Sequence, residues 1–301
     1  MSTLSAQARI QETKSISLLK KFGAYFELVK PRIAFMLFLT SAAGFYIGSG
    51  SKLELALFAN SMTAITMLAF GVATLNQYLE RDLDKLMKRT SKRPIPTGRV
   101  SASEALFFGI ALCTAAELYL FFAVNTLTAM LGIFVIIGYV FLYTPLKTRT
   151  TASTAIGALP GAMPPLMGWT AVANEITLSA WFLFALLFFW QFPHFLSIAW
   201  IYKEQYAKVG IKMLPVVEKD GKITAWQIIV FTVLLALVSF APFFLGISGL
   251  IYLVGAGVLG IWFLIYSIQA ATAKSREKAR KLLFVSVLYL PLIFALMVLN
   301  Q

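Results

Sequence analysis

The 301-residue chain is 59% hydrophobic and 14% aromatic with a mean hydropathy of +0.80, which excludes a soluble globular domain and defines a polytopic membrane protein. A net charge of +13 would fit nucleic acid only as a patch on a soluble fold. Here the basic residues fall between apolar runs, so the lipid bilayer is the expected partner and nucleic acid is not. A single cysteine, Cys113, and a single histidine, His194, exclude a disulfide framework and multi-histidine or thiolate metal centres.

Residues 1–25 are polar, lack an apolar core and include Glu12. They read as a cytoplasmic segment with an amphipathic surface helix, and as neither a secretory signal nor a transit peptide. Residues 26–301 form the transmembrane domain. Lys30-Pro31-Arg32 marks membrane entry, with proline suited to a first helical turn and the basic pair able to reach headgroups or a substrate anion. Apolar runs follow at 33–50, 55–79, 103–123, 126–145, 152–172, 177–201, 224–246, 248–271 and 282–300. Most are about the 20 residues that cross a 30 Å core, so an all-α bundle of about nine transmembrane helices is expected. A cytoplasmic N-terminus places 25 of the 26 Lys and Arg residues in inner segments and leaves only Lys52 outside. The outer loops are short, and function is expected in the larger inner loops after spans two and six. Those loops lie four spans apart and both carry acids among bases, which predicts two four-helix halves plus one helix with both loops at one cavity mouth.

The loop after span two begins with Asn76, Glu80 and Asp84, four residues apart at each step. At about 100° per residue the three share one helix face. Their oxygens suit a hard cation such as Mg²⁺, which keeps one or two protein carboxylates and completes its shell with phosphate and water. Lys88, Arg89 and Arg93 follow at once and can take phosphate charge. A helix end with solvated charges is the plainer alternative. Asp82 lies about 200° from Glu80 and Asp84 and is expected to be a salt-bridge or surface residue. Glu117, inside span three, is expected to find a structural partner across helices. In span five, Gly157, Pro160, Gly161, Pro164 and Pro165 predict a broken, closely packed helix. The second polar stretch opens inside span six with Trp190, Gln191 and His194 and emerges with Lys203 and Glu204. His194 could ligate a haem iron, hold a carboxylate, act as a base, or simply bond a neighbouring helix.

Four motifs then point one way. They are Asn76-x3-Glu80-x3-Asp84-x2-Met87-x-Arg89-Thr90-x2-Arg93-Pro94, Tyr143-Thr144-x-Leu146-Lys147, Pro164-Pro165-Leu166-x-Gly168-Trp169, and Trp190-Gln191-x-Pro193-His194-Phe195 with Met213-Leu214-Pro215. From about residue 25 onward the chain resembles the UbiA-type intramembrane prenyltransferases, and within them the haem-farnesylating branch. One departure is Gln205-Tyr206, where that family usually carries an acid before the tyrosine; Glu204 is the nearest substitute.

The resemblance implies transfer of a farnesyl group from farnesyl diphosphate to a vinyl group of haem B with addition of water, giving haem O and diphosphate. It implies Mg²⁺ held by Asn76, Glu80 and Asp84, with Glu204 at a second ion. Lys88, Arg89, Arg93, Lys147 and Lys203 would bind diphosphate, and His194 and Trp190 would contact haem. It further implies a downstream haem A synthase as partner, while the missing transit-like segment favours a bacterial inner membrane over a mitochondrial one. Two alternatives stay open: a UbiA-type enzyme acting on an aromatic or quinone precursor, and a polytopic transporter.

Overall fold

A computed structural model describes residues 19–50 and 52–300, which are helical throughout apart from connecting turns. Residues 19–28 form α1, so helix continues past residue 25; residues 1–18 of the expected N-terminal segment lie outside the described residues. The remaining elements are α2 (Pro31–Ser49), α3 (Leu55–Leu86), α4 (Ala102–Ala123), α5 (Thr126–Ile136), a π-helical stretch Ile137–Tyr143, α6 (Thr144–Leu146), α7 (Ser153–Gly161) and α8 (Met163–Ala173). They continue with α9 (Leu178–Ile201), α10 (Lys203–Lys208), α11 (Leu214–Val217), α12 (Lys222–Phe244), α13 (Leu250–Ala273) and α14 (Arg276–Leu299). Among the described residues, eight segments are long and apolar enough to cross a membrane, counting Thr126–Leu146 as one. The expected fifth span is the divided pair α7–α8, broken at Ala162 as the prolines and glycines predict, and neither half is long enough to count among the eight.

Local chemistry fixes the helix ends. Ser101 and Glu104 form a reciprocal capping box on α4, and Asn125, Thr177 and Ser275 cap α5, α9 and α14 by accepting a backbone N–H. Small residues fix how the helices pack. α2 lies against α8 so closely that a Cβ on Gly168 would overlap the Ser41 carbonyl, and one on Gly44 would overlap the Pro165 carbonyl. α14 meets both α2 and α9, which closes the bundle.

α3 outruns its apolar section. Its 32 residues span about 48 Å at 1.5 Å per residue, against a hydrocarbon core of about 30 Å. The polar stripe therefore stands on a helix end that projects past the apolar zone, and the loops following α3, α6 and α9 gather around it. α1 docks over the α3–α4 connection through Leu28, Ile95, Val100 and Ala105, with Lys21–Glu104 (2.5 Å) and Arg99–Glu27 (2.7 Å) ion pairs at its sides. Its other face presents Leu19, Phe22 and Phe26, as an amphipathic surface helix would.

Candidate active site

Asn76, Glu80 and Asp84 lie on one unbroken helix, and each meets a cation from elsewhere in the chain. Asn76 Oδ1 accepts from Lys30 Nζ at 2.9 Å, Glu80 Oε1 from Lys147 Nζ at 2.6 Å, and Asp84 Oδ2 from Arg93 Nη1 at 2.6 Å. Asn76 also donates from Nδ2 to Thr144 Oγ1 at 3.2 Å, which ties α3 to α6. The π-helical stretch prepares that contact: its wider turns change which face the following residues present, and Thr144 Oγ1 donates back to the Tyr139 carbonyl at 2.8 Å. Asp84 is 1% exposed, and its other oxygen, Oδ1, is buried without a partner among the described residues.

Positive charge exceeds negative here. Lys30 stands N-terminal to Pro31 in a left-handed conformation (φ 51°), and among the described residues its ammonium meets a carboxamide oxygen and no carboxylate. Burial, reinforced by Arg93, holds its pKa down to about 7. Burial would lower Lys147 as well, but Glu80, Tyr143 and Tyr139 outweigh it and raise its pKa, so this ammonium stays charged. Lys147 also lies 4.3 Å over the Tyr143 ring. An open cleft of about 480 Å³ reaches this cluster from beside α1, with Lys30, Arg32 and Arg93 among its basic lining and Phe26 and Ile33 among its apolar lining.

The second polar loop folds against the first. Met87 packs with Ala199, Tyr206, Val209 and Ile211, and the backbone N–H of Arg89 donates to Gln205 Oε1 at 3.2 Å. The Arg89 guanidinium donates to the Tyr206 hydroxyl at 3.2 Å and stacks over the Tyr202 ring at 4.9 Å. Burial raises the Tyr206 pKa against the pull of Arg89, so the phenol stays protonated. Gln205, where the resemblance led one to look for an acid, thus serves as an amide acceptor joining the two loops.

Other expected site residues lie elsewhere. Lys88 and Glu204 are exposed, and Lys203 Nζ reaches the Glu218 carbonyl at 3.4 Å. His194 Nδ1 lies 2.8 Å from Ser286 Oγ on α14, and its ring stacks on Trp190 with centroids 4.5 Å apart. Asp82 pairs with Lys85 at 3.0 Å on the exposed side of α3. Glu117 departs from expectation: both carboxyl oxygens are buried against Gly132 of α5 without a hydrogen-bond partner among the described residues. Ser286 is the contributor that no motif singled out; Lys30 stood in the membrane-entry Lys30-Pro31-Arg32 and Thr144 in the second motif, each without its partner Asn76 being apparent.

The donor set suits a hard cation. Among the described residues no three His, Cys, Asp or Glu side chains lie together, so the stripe offers two carboxylates and one carboxamide. That is what an ion retaining phosphate and water ligands requires, and the orphaned Oδ1 of Asp84 supplies a free lone pair for it.

The molecule is thus a bundle of helices of membrane-crossing length with a cation-clamped acid stripe at one end. Residues 37–288 match the UbiA prenyltransferase family. The chain is 46% identical over 286 residues to protoheme IX farnesyltransferase of Solibacter usitatus, covering 92% of this chain and 98% of the relative. Among solved structures, digeranylgeranylglyceryl phosphate synthase matches with a TM-score of 0.78 at 17% identity, covering 93% of this chain and 98% of that one. A UbiA homologue from Archaeoglobus fulgidus, bound to GPP and Mg²⁺, matches with a TM-score of 0.63 at 19% identity, covering 91% and 99%. The chain belongs to the UbiA prenyltransferase family and is an integral membrane prenyltransferase.

Proposed function

We propose that this chain transfers the farnesyl group of farnesyl diphosphate to a vinyl group of haem B and adds water, forming haem O and diphosphate. The observation that carries the reading is the stripe itself: Asn76, Glu80 and Asp84 each held by a cation, beside a cleft lined by Lys30, Arg32, Arg93 and Glu27 together with the apolar Phe26 and Ile33. That cleft suits an amphiphile with an anionic head and a prenyl tail. The relatives' name supports haem as acceptor.

Asn76, Glu80 and Asp84 would hold Mg²⁺, which when bound supplies Lewis-acid neutralisation of the diphosphate. Arg93 and Lys147 are the fixed positive charges that stabilise the negative charge developing on the leaving group as the allylic C–O bond breaks, and Lys30, whose pKa is held down to about 7 in the free chain, joins them when the arriving anion favours its protonated form. The bond's electron pair departs with diphosphate. The vinyl π electrons then form the new C–C bond, and the porphyrin-side cation takes the oxygen of water, which releases a proton. The apolar bundle limits water at the allylic cation until the acceptor has reacted. Charge asymmetry supports a cytoplasmic N-terminus, with the site facing the inner leaflet of a bacterial inner membrane. The test supplies purified chain with farnesyl diphosphate and either haem B or 4-hydroxybenzoate. A haem heavier by one farnesyl group and one hydroxyl is expected; product from the aromatic acid alone would move the chain to another branch.

A further inference from the structure

The His194 imidazole sits in a network that fixes where its proton lies. Its Nδ1 is 2.8 Å from Ser286 Oγ, and that Oγ is 2.7 Å from the Leu283 carbonyl oxygen. A carbonyl cannot donate, and two oxygens at this separation without a proton between them would repel. The single hydroxyl proton of Ser286 is therefore directed at Leu283. Ser286 has only lone pairs left for His194, so Nδ1 carries the ring proton. In the neutral ring, Nε2 then presents a lone pair.

The ring is also held from the side. Trp190 stacks on it at an interplanar angle of 23° and donates its indole N–H to the Ser286 carbonyl at 2.7 Å. One residue of α14 thus anchors both aromatic side chains of α9. His194 is half-buried, so the ring keeps some accessible surface beyond its contacts with Ser286 and Trp190. A fixed imidazole with a free Nε2 lone pair is a metal ligand. A neutral ring in this tautomer has no N–H left for a carboxylate and already spends Nδ1 on α14; the Nε2 lone pair can accept a proton or ligate a metal, and with haem B as acceptor the metal is its iron.

We propose that Ser286 is a positioning residue, which locks His194 in its Nδ1–H tautomer so that Nε2 ligates the iron of haem B. This rests on haem B being the acceptor. An axial bond grips the macrocycle at its centre and leaves its vinyl edges free to meet the allylic cation. Hydrogen bonds to the far nitrogen of a ligating histidine raise ligand basicity, and their loss costs about 10–100-fold in metal affinity.

The test loads full-length chain in nanodiscs with haem B and records the ferrous iron–histidine Raman band together with haem affinity. Wild type is expected to show the band, and His194→Ala to lack it. Ser286→Ala is expected to bind haem about tenfold or more weakly with the band shifted, and Ser286→Thr, which keeps the hydroxyl, to restore both. A thermal melt on each variant reports folding separately. A folded Ser286→Ala chain with wild-type affinity and band overturns the inference while leaving haem as acceptor. A wild-type chain that binds no haem B overturns that acceptor reading as well.

Discussion

Lys30 is weakly neutralised, since its side-chain partner among the described residues is a carboxamide and the guanidinium of Arg93 acts against its charge. Such a side chain is costly to keep in a free protein and useful only when an anion arrives. Lys30→Met is expected to raise KM for farnesyl diphosphate about tenfold, roughly 1.4 kcal/mol, with stability unchanged or improved. An unaltered KM in a diphosphate-release assay would remove Lys30 from the anion site. Asp84 makes the complementary case, with one oxygen on Arg93 and the other unpaired. Asp84→Asn keeps the shape and loses the charge, so turnover is expected to fall by about 10²–10³-fold while membrane insertion is retained. At this scale the sequence reveals what one helix turn can reveal. The stripe needed only a four-residue spacing, whereas Lys30 meets Asn76 across 46 residues and Ser286 meets His194 across 92, separations that no local pattern encodes.

The elements follow from hydropathy, with two departures of physical origin. Helix α3 runs to Leu86, past the apolar limit near residue 79, because its polar end gains partners in the gathered loops. The stretch Ile137–Tyr143 is π-helical, and its composition is that of any apolar span; the widened turns are set by what they contact, Thr144 and then Asn76. The break in the fifth crossing, by contrast, was legible from its prolines. Its second half, α8, depends on backbone contact with α2, so Gly168→Leu is expected to destabilise the detergent-solubilised protein by about 1–3 kcal/mol, the usual cost of overpacking. A melting temperature equal to wild type would show that the two helices have room to separate.

For the whole molecule, the two basic loops meet through Arg89, Gln205 and Tyr206, which joins segments far apart in the chain at one end of the bundle. Their likeness in charge and placement already pointed to a shared cavity mouth; the amide bridge at Gln205 was hidden because motif reading sought a carboxylate there. With the only native thiol, Cys113, buried, single cysteines report sidedness cleanly. Lys92→Cys is expected to react with an impermeant maleimide only from the cytoplasmic side and Lys52→Cys only from the outside; the reverse pattern would invert the orientation. The central claim is that the acid stripe and its cations activate farnesyl diphosphate for transfer to haem. It is tested most directly by the mass spectrum of haem recovered from wild-type chain and from Glu80→Gln/Asp84→Asn, each given farnesyl diphosphate, haem B and Mg²⁺. The account predicts farnesylated, hydrated haem from wild type and unmodified haem B from the folded double variant; the same product from both would contradict it.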